Sequence, residues 1–384
     1  MKAATEMAGA TASPRGPQAD VNAAVGSYLR DLAFVQSVRA KMWGYKRAAA
    51  AILALERPLP ELVSGGRLEK IPGIGPSSER VIHEILETGQ SPTAERAIEA
   101  SGKQADISRR RTLRTNFFSR AEVIRILADQ SLTGPSLRDV RADLQMHSEW
   151  SDGNPTLIEL RDACTARHYT FAAVTDHSHG LKIAGGMTME EAAAQRAEIL
   201  KVNTGARGEC EMLQGIEANI AADGSLDLTD EEAKQFDIVL AAPHSVLRKT
   251  IDQTGRMVTA IRNPAVRILA HPRGRMAGSR AGIIADWDVV FSAAAEQGVA
   301  IEIDGDPSRQ DLDFSMARRA LDSGVLFALD SDAHTTSQLA YSETAVAHAR
   351  LAGIPVDRIV NCWSLDRFKS WLAHPRGEAD AGAR

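Results

Sequence analysis

Five of the ten histidines stand in short motifs that also carry carboxylates. These are Gln145-Met-His147 followed by Asp152-Gly153, Asp176-His177, Pro243-His244, His271-Pro272 and Asp330-Ser-Asp332-Ala-His334, with Glu217 between them in Gly-Ile-Glu. Imidazole nitrogens and carboxylate oxygens are the donors that divalent zinc or manganese accepts. Repeated at intervals of roughly 25–35 residues, they describe a polynuclear metal site built from successive strand ends. The chemistry such a site performs is hydrolysis, because grouped cations acidify water and neutralise charge on the bond being cut.

The elements that must deliver these side chains follow from hydrophobic periodicity. Apolar runs of strand length lie at 140–146, 171–175, 212–216, 238–242, 267–270, 299–303 and 325–329, and between them come amphipathic stretches such as 157–166 and 314–323. Strand–helix alternation predicts a parallel sheet, and ligands after nearly every strand predict a closed barrel over 138–374. Residues i and i+2 of a strand face the same way, so Gln145 with His147, and Asp332 with His334, are each expected to meet one ion together. His83, His168, His348 and His374 are read as ordinary core or surface residues, and His179 is left unassigned.

The stretch Asp143-Leu-Gln-Met-His-Ser-Glu-Trp-Ser-Asp-Gly153, with the later motifs through Asp332-Ala-His334, resembles the polymerase and histidinol phosphatase (PHP) superfamily. That resemblance implies an α/β fold, a distorted (β/α)7 barrel preceded by a small all-α domain, and three divalent metal ions, zinc or manganese. It implies one ion on Gln145 or water, His147, Glu217 and Asp332. A second would take Glu217 with His244 and His271, and a third Asp152, His177 and His334. Glu217 and Asp332 would then be catalytic. The superfamily usually has histidine where this chain has Gln145, a poorer donor for borderline metals; glutamine there is familiar in the PHP domains of bacterial family X DNA polymerases. Leu181-Lys-Ile-Ala-Gly-Gly186, His271-Pro-Arg-Gly-Arg275 and Ala285-Asp-Trp287 resemble the same branch, and from it Lys182, Arg273 and Arg275 are expected to meet a substrate phosphate. Glu302 is read as support behind the ligands.

Upstream, Lys70-Ile-Pro-Gly-Ile-Gly-Pro76 precedes an apolar-striped helix carrying Val81, Ile82, Ile85 and Leu86, with Ser77 or Ser78 as expected N-cap and Gly89 as stop. A Gly-x-Gly hairpin at a helix start exposes N–H groups to phosphate, which makes Gly73 and Gly75 candidate DNA contacts. Together with Ala40-Lys-Met-Trp-Gly-Tyr-Lys-Arg-Ala48, the segment resembles the N-terminal helix-hairpin-helix domain of family X polymerases, which binds gapped DNA; Lys41 and Lys46 are its phosphate candidates. Relatives with lyase activity carry a Schiff-base lysine where this chain has Val81, so that activity is not expected. Between 100 and 138 there is no room for a polymerase palm. The stretch instead holds Arg109, Arg110, Arg111, Arg114, Arg120 and Arg125 around Phe117 and Phe118, a basic and aromatic composition suited to a nucleic-acid strand.

A net charge of −5 confines any DNA contact to local patches. Three scattered cysteines, Cys164, Cys210 and Cys362, fit a reducing cytoplasm, and no run is long and apolar enough to span a membrane. The expected organisation is a disordered tail over 1–21, a helical DNA-binding domain over 22–100, a basic linker over 101–137, the barrel over 138–374 and a second tail over 375–384. The expected function is a metal-dependent phosphoesterase acting on DNA ends: a 3′–5′ exonuclease or 3′-end processing enzyme of DNA repair on gapped, nicked or 3′-recessed DNA, without polymerase activity. Two other classes fit the same residues: a small-molecule phosphatase of the histidinol-phosphatase type, and a non-catalytic DNA-end-binding protein.

Overall fold

Asp20 starts the first helix by accepting the Ala23 N–H at 2.9 Å, a side-chain cap for a donor that no helical carbonyl can reach. The computed structural model describes residues 20–65, 68–204 and 210–373. Apart from Asp20 and Val21, the expected tails lie outside the described residues, as does His374.

Five helices come first: α1 (Val21–Val35), α2 (Arg39–Leu53), α3 (Leu59–Ser64), α4 (Pro76–Thr88) and α5 (Pro92–Ser101). Val25, Leu29 and Leu32 of α1 pack on Ala48, Ala49 and Ile52 of α2 and on Val81, Ile82 and Ile85 of α4. Small residues let α1 and α2 approach closely; a Cβ on Gly26 would come within 2.8 Å of Leu53. The N-cap of α4 is Gly75, with Pro76 following it, and not Ser77 or Ser78. Proline suits the first helical position because the N–H it lacks would be unpaired there anyway. Gly89 closes α4 in the left-handed conformation.

The stretch 101–137 carries two further helices, α6 (Gln104–Thr112) and α7 (Arg120–Ala128). They strap the helical domain to the barrel. Arg111 donates to Asp31 Oδ2 at 2.7 Å and to Glu95 at 2.8 Å, and Arg114 takes the other oxygen of Asp31, a carboxylate with no exposure at all. On the barrel side, Gln310 brackets Phe118, accepting from its N–H at 2.9 Å and donating to its carbonyl at 3.0 Å.

The barrel contains β1 (Phe171–Val174), β2 (Glu211–Asn219), β3 (Ile238–Ala242), β4 (Val266–Leu269), β5 (Ala300–Asp304) and β6 (Leu326–Asp330), all parallel and neighbours in chain order. The seventh run, 140–146, takes its place between β1 and β6 without becoming a regular strand. Its carbonyls accept from Ala173 and Thr175 on one side, and His147 donates to Ala333 on the other. Side chains replace the rest of the ladder: Asp330 accepts the Leu144 N–H at 2.7 Å, and the Asn361 amide donates to the carbonyls of Ala142 and Leu329. Alternate strand positions, among them Ala173, Leu213, Leu240 and Ile268, cluster with Phe368 of the C-terminal helix Leu365–Ala373. Phe368 lies 4.9 Å from the ring of Phe171 at the start of β1, so the plug fills the N-terminal end and leaves the opposite end open for polar groups.

Candidate metal centre

Glu217 continues the inward alternation of Leu213 and Gly215 in β2, which makes it a fully buried carboxylate on the axis of the open end. Four imidazoles close on it. His271 Nε2 lies 2.8 Å and His244 Nε2 3.1 Å from Oε1; His177 Nδ1 lies 3.2 Å and His147 Nε2 3.4 Å from Oε2. His244 and His271 each come two residues after their strands, and Asp332 and His334 follow β6. A second focus is Asp152, whose Oδ1 is 3.3 Å from His334 Nε2 and 3.5 Å from His177 Nε2. The rings of His147, His177 and His334 stack there at centroid spacings of 4.5 and 4.4 Å.

The donor atoms form three overlapping groups: His147, Asp152, His177 and His334; His177, Glu217 and His244; and His147, Glu217 and Asp332. These groups take in seven of the nine expected ligands, and His271, 2.8 Å from Glu217 Oε1, is the eighth at the centre. The expected pairing by strand does not hold, because β6 ends at Asp330 and Asp332 has φ +50, so Asp332 and His334 serve different groups. His271 is also in the left-handed region, at φ +25, a backbone strain of the kind functional sites hold. The Gln145 amide faces Glu302, and with its nitrogen turned to that carboxylate it donates to Oε2 at 3.0 Å. Glu302 also accepts the His271 N–H, so it steadies two neighbours of the centre from behind.

Buried imidazole nitrogens of His147 and His177 have no hydrogen-bond partner, although His177 Nδ1 is close to Glu217. Unpaired buried polar atoms are rare, and coordination to divalent ions satisfies them; the donor set fits the metals it implies. The electrostatics agree. Burial alone would raise the Glu217 carboxyl, but the surrounding histidines hold it well below the usual range. Burial likewise opposes ionisation of Asp152, and hydrogen bonds from His177 and His334 reverse the balance. Glu302 has no such company: burial, Asp330 and Asp304 push its carboxyl well above the ordinary value.

The basic residues expected at the substrate are dispersed. Arg275 is buried, pairs with Asp313 at 2.8 Å and stacks 3.9 Å from the Phe117 ring, and Arg273 reaches the same Asp313 at 3.2 Å. Arg275 therefore ties a barrel loop to the strap, and Arg273 ties two barrel loops together. Lys182 stands exposed in the turn Lys182–Ala184. The cation that does enter the centre is Arg309, 2.5 Å from Asp332 Oδ2 and 3.7 Å from Asp304 Oδ2. It lies in a loop with no motif of its own, and only the sequence proximity of Asp304 and Asp306 hinted at a charged partner.

In the helical domain Gly73 has φ +87 and backs onto Arg47, with Gly75 open to solvent beside it. Lys46 sits 4.7 Å over the ring of Trp43, which is 44% exposed, and Lys41 is exposed on the same helix. Val81 is wholly buried. Of the strap arginines, Arg111 is held by Asp31 and Glu95, Arg110 stacks 3.8 Å from Phe34, and Arg109 is exposed beside Asp106.

A family described as "Helix-hairpin-helix domain" matches residues 21–91. The DNA polymerase/3'-5' exonuclease PolX of Bacillus subtilis (strain 168) is 35% identical over 237 residues, which are 62% of this chain and 41% of that protein. The chain thus spans less than half the length of that relative. A probable phosphatase of Thermoanaerobacter sp. (strain X514) is 34% identical over 173 residues, 42% of this chain and 68% of that protein. A histidinol phosphate phosphatase structure from Lactococcus lactis aligns with 54% of this chain at 14% identity and a TM-score of 0.42, too loose a likeness to weigh. With the His/Asp/Glu groups gathered at the open end of a parallel barrel and the helical domain ahead of it, the chain belongs to the PHP superfamily of metal-dependent phosphoesterases and carries a helix-hairpin-helix domain.

Proposed function

We propose that this protein hydrolyses phosphodiester or phosphomonoester bonds at DNA ends, as a 3′–5′ exonuclease or a 3′-end processing enzyme of repair. The observation that carries the reading is a hairpin domain held beside the metal-binding barrel: Arg111 and Arg114 of the strap grip its buried Asp31, while Arg110 and Phe118 of the strap bond to Gly278 and Gln310 of the barrel. A metabolite phosphatase has no use for a surface that grips the DNA backbone without reading bases.

Three zinc or manganese ions are the proposed cofactors. His147, Glu217 and Asp332 would hold one, Glu217 with His244 and His271 a second, and Asp152, His177 and His334 a third. Divalent ions bound there supply Lewis acidity to water and to phosphate oxygens. The chain's own groups set the geometry. Glu217 stays ionised among its histidines, Glu302 accepts the His271 N–H, and Arg309 pairs with Asp332 inside the centre. Lys182, exposed at the rim, is the proposed contact for the substrate phosphate. Gly73, Gly75, Lys41 and Lys46 are the proposed DNA contacts of the helical domain, with gapped, nicked or 3′-recessed DNA as partner. Among the described residues no helix is long and apolar enough to cross a membrane, and the three free cysteines are buried; a cytoplasmic setting is part of the proposal.

The probable-phosphatase relatives favour one rival, a small-molecule phosphatase. The deciding experiment compares hydrolysis of 3′-recessed DNA and of histidinol phosphate by one metal-loaded preparation. Preference for DNA in kcat/KM supports the proposal, and preference for the metabolite overturns it.

A further inference from the structure

A groove of about 400 Å³ runs between the strap helix α6 and the two loops that follow His244 and His271. Five cations line it, Arg109, Arg110, Arg248, Lys249 and Arg280, and among the described residues no carboxylate does. Neutral groups hold three of them in place. Arg110 donates to the Gly278 carbonyl at 2.7 Å, Arg248 to that of Ser279 at 3.1 Å, and Arg280 to that of Gly274. Carbonyls orient these guanidinium groups without cancelling their charge. Lys249 is exposed, and Arg109 shares only Asp106 on its own helix.

The charges lead inward. Arg280 lies close enough to both Arg248 and Arg309 for their repulsion, after burial, to lower its pKa. Arg309 in turn touches Asp332. Arg248 and Lys249 follow the candidate ligand His244, and Arg280 follows His271, so the cationic walls of the groove start beside the metal centre, in a chain whose net charge is −5. Such a cluster is unfavourable until a polyanion lies along it. The floor is apolar: Leu247 is half-buried, and Ile284 is 50% exposed. Cationic walls over an apolar floor are what a single nucleic-acid strand uses, phosphates against the former and sugars or bases against the latter. The volume is that of a small-ligand site, which suits a few nucleotides of one strand and is far below that of a duplex segment.

We propose that this groove is the channel through which one unpaired strand of DNA reaches the metal centre, with Arg248 and Lys249 binding its phosphates. The proposal rests on the reading of the protein as a DNA-end phosphoesterase and adds the route that the substrate takes.

The test uses the full chain with Arg248 and Lys249 both changed to glutamate; both are exposed and neither is a candidate metal ligand. Binding of a fluorescein-labelled single-stranded oligonucleotide is followed by anisotropy across a salt series, with chelator present. The double variant should bind about tenfold more weakly or worse, and its salt slope should flatten by about 1.4, the release expected for two single-strand phosphate contacts. Lys249→Glu alone should flatten it by about 0.7. Metal content and hydrolysis of bis(p-nitrophenyl) phosphate should stay at wild-type values, while KM for recessed DNA rises. Unchanged affinity and slope overturn the channel, as does an equal loss of small-ester and DNA turnover, which would mean that the loops merely support the centre. A wild-type protein that binds the strand through these residues but leaves DNA uncut overturns the end-processing reading and not the groove.

Discussion

Arg309 places a guanidinium nitrogen 2.5 Å from Oδ2 of Asp332, while Oδ1 of the same carboxylate lies 3.1 Å from His147 Nε2. One buried carboxylate thus serves a permanent cation and a metal position together. Changing Arg309 to Met strands that charge. The metal-free protein should lose about 3 kcal/mol in denaturant unfolding, the penalty for breaking a buried pair from one side. Manganese should restore much of it and bind more tightly in calorimetry, since Asp332 is released to the ion. Unaltered metal-free stability would show that the pair carries no weight.

Glu217→Ala removes the one carboxylate that four histidines share, so metal content should fall and hydrolysis should vanish. Gln145→Ala takes an amide from Glu302 and should leave metal content near wild type. Metal analysis and initial rates rank the two; the opposite order would refute this assignment of ligands. Chelation should abolish wild-type activity, and zinc or manganese should restore it.

Gly73 and Gly75 separate fold from function. A Cβ at Gly75 meets nothing within 4 Å, whereas Gly73 needs φ +87. Gly75→Val should keep its melting temperature within a few degrees yet weaken DNA binding by about tenfold, by blocking the approach of a phosphate. Gly73→Val should lose roughly 1–2 kcal/mol of stability as well. Neither should change hydrolysis of a small ester. If Gly75→Val binds gapped DNA normally, the hairpin is not a contact.

His348 predicts a pH effect away from the metals. Its Nδ1 accepts the Phe314 N–H at 3.1 Å, so its Nε2–H donates to Gln310 at 3.0 Å, and a second proton would break the first bond. Burial, against the pull of Asp313, lowers its pKa from 6.5 to about 3. The unfolded chain therefore takes up this proton first as pH falls. Stability contributed by neutral His348 is complete above pH 6.5 and drains away between there and about 3. Unfolding free energies should fall by up to about 1.4 kcal/mol per pH unit in that window, and the slope should be shallower in His348→Gln. Parallel slopes would assign the acid sensitivity elsewhere.

The histidines of the centre were legible because each follows an apolar run by a residue or two, and a parallel barrel sends such positions to one end. The six strands were legible for the same reason. What sequence could not give were partners chosen across the fold. Arg275 looked like a phosphate ligand, and only the folded chain puts Asp313 beside it. Gln145 reads as a metal donor, and only the fold shows that Glu302 stands beside its amide. The run 140–146 reads as a strand, yet Asn361 and Asp330 supply hydrogen bonds that a neighbouring strand would have supplied. Arg110 and Arg111 read as a basic patch, and Phe34 and Asp31 make them joints.

Asp31, gripped by Arg111 and Arg114, fixes the hairpin domain to the strap, which Arg110 in turn bonds to Gly278 of the barrel. A strand held at both places has only one spacing available to it. The molecule would then act as a ruler: digestion of a long recessed strand should pause at a set number of nucleotides from the gripped phosphate. With Asp31 replaced by alanine, the ruler becomes a hinge, and the sharp pause should blur into a ladder.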